Sequence, residues 1–197
     1  MSTARRKRPI ACHHGPTNTY VLRTPIGDMD LETCPKGIHS LQQVQEIDDS
    51  TFKVDMSIEV SLKSQLYQDN GYVYKSVLMC IQWLNTYFHN KTEAPAQTRP
   101  NICFVHTKKG SFTEKVWRIL ADEISFARIV SYGQLATMCG NVNTARAVGH
   151  TLKMNPIQLI IPCHRVIRQT GQLGEYCGGR RNLVKKWLLN HEGVAVL

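Results

Sequence analysis

The spacing of apolar residues changes along the chain. From Phe52 to Leu62 every second position is apolar (Phe52, Val54, Met56, Ile58, Val60, Leu62). Period two over that length predicts a strand with one buried face. Pro25-Ile26-Gly27-Asp28 predicts a turn between two shorter extended runs, so the signals from Thr19 to about Ser64 are mostly strand. From Tyr72 to His89 the period lengthens. Val73, Val77, Ile81, Leu84 and Phe88 recur at helical steps and predict an amphipathic helix. The stretch His89 to Pro100 is polar with two prolines, and it places a domain boundary near 90–105.

The second half carries helix signals. Ser111 with Glu114, and Ser131 with Gln134, are capping-box patterns. The first opens a helix bearing Phe112, Val116, Ile119, Leu120 and Ile124. The second opens a short helix through Met138, which Gly140-Asn141 breaks. A further helix starts near Asn143 or Thr144 and runs towards Met154. Leu159-Ile160-Ile161 is a short strand-like run that Pro162 stops. Gly171, Gly174, Gly178 and Gly179 mark a loop, and a last helix carries Leu183, Val184, Trp187 and Leu188. The expected organisation is a basic arm at 1–15, an α/β domain at 16–100 and a mostly helical domain at 101–197.

Composition narrows the class. The chain has 197 residues, a net charge of +9 and 42% hydrophobic residues, which suits a folded globular protein with a sizeable core. No apolar run approaches the ~20 residues that span a bilayer. The basic N-terminus lacks the hydrophobic segment of a secretory signal. Seven scattered cysteines fit a disulfide framework poorly and a nuclear or cytosolic protein well. They are free thiols, metal ligands or a nucleophile. The positive charge suits a polyanionic partner. The cluster Arg5, Arg6, Lys7, Arg8 reads as nuclear import or phosphate contact, and equally as a solvated tail.

Two short helices around a Gly-containing turn form a helix-turn-helix pattern. On the second helix, Ala145, Val148 and Leu152 fall on one side. Arg146, Gly149, His150 and Lys153 fall on another, basic and with one glycine, as a DNA-inserted helix needs. An ordinary solvated surface helix would show a similar face. Ile161-Pro162-Cys163-His164-Arg165-Val166 is the most informative segment. A thiol beside His164 and Arg165 is in a cationic setting that lowers its pKa towards neutrality. His164 would reach Cys163 through a water or a bend, and Glu192 on the last helix offers the orienting acid. A cysteine after an apolar run can also be a buried structural thiol.

This hexapeptide resembles the active-site signature of the O6-alkylguanine-DNA alkyltransferases (methylated-DNA–protein-cysteine methyltransferases). Ser131-Tyr132-Gly133-Gln134-Leu135-Ala136 is similar to the start of that family's helix-turn-helix. Ala145-Arg146-Ala147-Val148-Gly149 resembles its recognition helix, and Asn155-Pro156 its hinge. Gly174, Tyr176, Gly178 and Gly179 resemble the active-site loop, and Trp187 to Gly193 the C-terminal helix. The match runs from about Ser111 to Val194. The N-terminal half resembles the family more loosely, through Trp83-Leu84-Asn85, Tyr87-Phe88-His89 and Pro25-Ile26-Gly27.

The resemblance implies a small α/β domain with an antiparallel sheet, followed by a winged-helix-like domain. It implies a DNA repair protein of the nucleus, a monomer, that flips O6-alkylguanine out of duplex DNA. The alkyl group moves irreversibly onto Cys163, in one turnover and without a cofactor. His164 would deprotonate Cys163 through a water, Glu192 would orient His164, and Tyr132 would hydrogen-bond the base. Arg146 would fill the stack left by the extruded nucleotide, at a site where flipping costs a few kcal/mol. Ala145, Gly149, Asn155, Val166 and Cys177 would contact DNA or the flipped base. Three features depart from the pattern. Gln158 stands where mammalian members have proline, Cys177 where serine is usual, and Arg180 to Asn182 lengthen the loop before the last helix.

Mammalian members hold a structural zinc with two Cys and two His. Cys34 and His39 resemble one pair, Cys12 the other cysteine, and Cys103 or His106 the last ligand, all within zinc's preferences. An unmetallated set of scattered Cys and His is the alternative. Beside the alkyltransferase stand two rivals. One is a relative that binds alkylated bases without removing them, and the other is an unrelated cysteine hydrolase using Cys163, His164 and Glu192.

Overall fold

The computed structural model describes residues 12–67 and 73–196. Residues 1–11 of the expected basic arm, and Tyr72, lie outside them. Four strands form an antiparallel sheet: β1 (Asn18–Arg23), β2 (Met29–Cys34), β3 (Gly37–Gln43) and β4 (Ser61–Gln65), in the order β3-β2-β1-β4. The Pro25–Asp28 turn joins β1 to β2 as expected. Gly27, at φ +98°, donates to the Thr24 carbonyl there. Helix α1 (Lys75–His89) covers the sheet with Val77, Cys80, Leu84, Tyr87 and Phe88 buried.

The strand expected over 52–62 is not formed: only its end enters β4. Asp55 accepts from the Ser57 N–H and hydroxyl. Such local side-chain bonds compete with a sheet ladder. The alternation reports burial without pairing, since Phe52 and Val54 still pack on the core and Val60 is buried.

The second half comprises α2 (Phe112–Glu123), β5 (Val130–Ser131), α3 (Tyr132–Met138), α4 (Ala145–Lys153), β6 (Val166–Ile167) and α5 (Asn182–His191), with β5 and β6 paired in parallel. The capping box at Ser131 closes in both directions, with Gln134 N–H to Ser131 Oγ and Ser131 N–H to Gln134 Oε1. At α2 only half of it closes. Ser111 caps the Glu114 N–H, but the Glu114 carboxylate takes the Gly110 N–H and the Arg118 guanidinium. Helix α3, a turn at Gly140 (φ +85°) and α4 form the helix-turn-helix. Thr151 near the end of α4 accepts from Trp117 Nε1 on α2.

The outer edge of β3 joins the two halves. Ile38 bridges to Ile102, and Leu41 bridges to Ile157. One continuous apolar core runs from Tyr20 to Leu188. Leu159-Ile160-Ile161 is not a strand. It is a buried turn in which Leu159 adopts φ +68° and Ile161 N–H bonds back to Ile157. Asn155 ties this turn at both ends, accepting from Ile157 N–H and donating to the Ile161 carbonyl.

Candidate active site

Pro162 stops the buried turn and starts a short 3-10 turn, Cys163–Arg165. The turn sends Cys163 and His164 in different directions. The Cys163 thiol is 7% exposed, and its sulfur accepts from Asn155 Nδ2 at 3.0 Å. It lies at a cavity of about 370 Å3 lined by Tyr132, Gly149, Arg168, Gly174, Tyr176 and Cys177. The cavity sits between the N-terminus of α3, the C-terminal half of α4 and the glycine-rich loop. Gly174 (φ +68°) leaves the room that Tyr132 needs, because a Cβ there would stand 3.0 Å from the phenol oxygen. A smaller chamber of about 250 Å3 also reaches Cys163, past Gln158 and Cys177, and Arg180 and Lys153 line it.

His164 is fully buried and points away from the cavity. Its Nε2 lies 2.7 Å from Glu192 Oε1. Glu192 collects further donors: Arg165 Nε and Nη2 at 2.9 Å each, the Tyr87 hydroxyl at 2.8 Å and the Ala127 N–H at 3.1 Å. Burial alone would push this carboxyl up. The Nε2–H of His164 and the guanidinium of Arg165 instead hold it well below the usual carboxylate range. Burial pulls His164 below an ordinary imidazole against the pull of Glu192. Donation from Nε2–H to the carboxylate leaves Nδ1 as the acceptor, and Nδ1 has no partner among the described residues.

The cationic setting inferred for Cys163 is therefore corrected. His164 Nε2 and Arg165 Nε and Nη2 are turned to Glu192, and burial pushes the thiol up to about 11, with Cys177 adding to the shift. Desolvation disfavours the thiolate more than the neighbouring charges favour it. The opposing influences are the Asn155 bond and Lys185. Lys185 is buried on α5 and donates to the Val166 carbonyl at 2.7 Å. Burial brings its own pKa down to about 8.

The structure brings together Cys163, Tyr132, Gly149 and Cys177 at one cavity, with Asn155 and the His164–Glu192 pair behind it. Ala145 is half-buried, and Arg146 is exposed at the start of α4. Val166 is more committed than the resemblance implied. Its N–H donates to the Cys163 carbonyl and its own carbonyl accepts from Lys185. Lys185 and Tyr87 were missed. Lys185 had a signal, since Lys185, Leu188, Leu189 and Glu192 recur at helical spacing and put two charges in the buried stripe of α5. Tyr87 entered only through the loose resemblance of the N-terminal half.

A second cluster lies where β2, β3, residue 12 and residue 103 meet. One ligand atom from each of Cys12, Cys34, His39 and Cys103 falls within 4.8 Å of the others. Cys12 and Cys103 sulfurs are 3.9 Å apart. A tetrahedral ion with ~2.3 Å metal–sulfur bonds needs an edge of about 3.8 Å. His39 is buried, neither of its ring nitrogens makes a hydrogen bond to the described residues, and Nδ1 lies 3.8 Å from Glu32. Cys12 and Cys34 sulfurs accept the N–H groups of His14 and Lys36. The residues present fit a zinc ion. His106 lies outside the cluster.

A helix-turn-helix domain that presents one buried, partnered cysteine at a cavity defines a class, the DNA-binding alkyl acceptors. A family model described as the DNA binding domain of 6-O-methylguanine DNA methyltransferase matches residues 111–194. The rat methylated-DNA–protein-cysteine methyltransferase is 36% identical over 88% of this chain and 81% of its own length. The human protein of that name is 34% identical over 87% and 78%. The solved Mycobacterium tuberculosis OGT in complex with DNA superposes with a TM-score of 0.64 at 25% identity, covering 88% of this chain and 91% of the other. The chain belongs to the methylated-DNA–protein-cysteine methyltransferase family. No helix among the described residues is long and apolar enough to cross a membrane.

Proposed function

We propose that this chain is a DNA repair protein that moves the alkyl group of O6-alkylguanine in duplex DNA onto Cys163. The observation that carries the reading is the placement of the Cys163 sulfur in a cavity that opens beside α3 and α4, with the buried His164–Glu192 pair behind it. The extruded base enters between Tyr132 and the 174–178 loop. His164 Nδ1 takes the thiol proton through a water, and Glu192 stabilises the imidazolium that results. The thiolate sulfur attacks the alkyl carbon, a C–S bond forms, the C–O6 bond breaks, and the proton returns to the departing guanine. Tyr132 donates a hydrogen bond to the base. The thioether cannot ionise, so one molecule acts once, and the step needs no cofactor.

The N-terminus of α4 is the element proposed to enter the groove. Ala145 and Gly149 permit close backbone approach, and Arg146 fills the stack left by the flipped nucleotide. Asn155 anchors the acceptor turn, and the Cys177 and Val166 backbones border the base. In this division the half from residue 101 binds DNA and accepts the alkyl group, and the half at 16–100 supports it. Zinc at Cys12, Cys34, His39 and Cys103 would staple the first residues to β2, β3 and the crossing segment, away from the chemistry. Nuclear residence is supported by the mammalian relatives and by the Arg5–Arg8 charge.

The test is intact-protein mass after incubation with a duplex containing O6-methylguanine. One methyl on Cys163, absent in Cys163→Ala, supports the proposal. Binding without that increment, or repeated turnover of an ester or peptide, overturns it.

A further inference from the structure

Cys177 lines both chambers at Cys163, and its loop closes on itself through Gly179 N–H to the Tyr176 carbonyl and Tyr176 N–H to Asn182 Oδ1. Cys177 sits at φ +50°, and Gly174, Gly178 and Gly179 around it are also at positive φ. Further supports reach it from the 43–49 segment, in two arms. In the first, Gln43 N–H donates to Gln158 Oε1 at 3.0 Å, and Gln158 Nε2 donates to the Cys177 sulfur at 3.1 Å. In the second, Arg181 lines the smaller chamber together with Cys177, and its charge opposes the rise that burial imposes on the thiol. Arg181 is itself buried. Its Nε donates to the Ile47 carbonyl, and its Nη2 to the Val44 and Gln43 carbonyls. Asp49 completes the dock. Its carboxylate accepts the first free N–H groups of α5, from Asn182 (3.0 Å) and Leu183 (2.8 Å), while its own N–H donates to the Arg180 carbonyl.

Both arms end on the same short stretch, the last residue of β3 and the loop 44–49. The features that depart from the family pattern (Gln158, Cys177 and the lengthened 180–182 segment) are thus one connected unit.

We propose that the 43–49 segment is a clamp that fixes the active-site loop over the acceptor thiol, with Asp49 and Arg181 as positioning residues for alkyl transfer. The proposal rests on the reading of Cys163 as acceptor. Without the clamp the loop populates the base-ready position only part of the time, and apparent affinity for the extruded base falls by that fraction. Once base is bound the loop is in place, so the chemical step is unaltered. The His164–Glu192 pair touches neither clamp residue.

The experiment is single-turnover methyl transfer from a duplex carrying O6-methylguanine, with protein in excess over a range of concentrations. It yields a limiting rate and a half-saturating concentration. Binding to the unmodified duplex is measured in parallel. For Asp49→Ala and Arg181→Ala, half-saturation is expected to rise about tenfold, with limiting rate and unmodified-duplex affinity within about twofold of wild type. Asp49→Asn keeps one of the two acceptors for the Asn182 and Leu183 N–H groups and is expected to fall between wild type and Asp49→Ala. If Arg181→Ala does not fold, Asp49→Ala and Asp49→Asn decide alone. Unchanged half-saturation with only a smaller active fraction overturns the proposal. A wild-type protein that leaves Cys163 unmethylated refutes the acceptor reading itself, before any variant is compared.

Discussion

His164 and Glu192 face each other at 2.7 Å with both side chains fully buried. Arg165 reaches the same carboxylate through two nitrogens. Removing the charge in Glu192→Gln strands Arg165 in the interior. Loss of one partner of a buried pair costs about 3–5 kcal/mol, which urea denaturation would read directly. Alkyl transfer should also slow, on the order of tenfold or more, because the base loses its counter-charge. A variant with wild-type stability would show that the pair is solvated in solution.

The pH dependence of stability has two limbs. Glu192 is held below its ordinary 4.5. A depressed acid stabilises above its unfolded value, and that contribution is lost as pH falls through and below about 4.5. Glu192→Gln should flatten the acid limb. Cys163 is raised from 9.0 to about 11. The unfolded thiol ionises first, so stability falls as pH rises between those values, by roughly 3 kcal/mol in total. Cys163→Ala should remove that part of the alkaline limb. Denaturation midpoints across pH check both.

Lys185 lowers the Cys163 thiol from within the core. In Lys185→Met the thiol should ionise at higher pH. The pH midpoint for alkylation of Cys163 by iodoacetamide, followed by mass, should move upward. An unmoved midpoint would limit Lys185 to its bond with the Val166 carbonyl.

If zinc occupies Cys12, Cys34, His39 and Cys103, the protein should bind one ion. Free zinc at about a hundred times its dissociation constant should add roughly 2.7 kcal/mol of stability. Cys34→Ser should abolish the increment without preventing methyl transfer by the protein that remains folded. An equal thermal shift in that variant would place the metal elsewhere.

Arg146 is exposed at the start of α4. Arg146→Ala should slow repair in duplex DNA more than reaction with a free O6-alkylguanine base. Only the duplex requires a stack to be filled, at a few kcal/mol. Equal losses in the two assays would refute that role.

The acceptor machinery was legible in the chain because its residues are close in sequence or carried on one helix. Ser131 and Gln134 cap one turn, Arg146 and Gly149 share one helix, and Cys163 and His164 are adjacent. Local rules reach such pairs. The same rules misread Phe52 to Leu62 and Leu159 to Ile161. Apolar spacing reports which side chains are buried, not which backbone groups pair. The side chains of Asp55 and Asn155 diverted those backbones into turns.

By itself the sequence determined the family, the helix-turn-helix, the cysteine proposed as acceptor and three residues able to meet around a metal, with the fourth open between Cys103 and His106. Only the tertiary structure decided the electrostatics and the supports. It turned His164 and Arg165 towards Glu192, so that burial raises the Cys163 thiol where neighbouring cations had promised to lower it. It also brought Asp49 and Gln43 to Arg181, Gln158 and Cys177. Desolvation and long-range hydrogen bonds depend on which surfaces meet, and residues more than a hundred positions apart carry no local signal of that meeting.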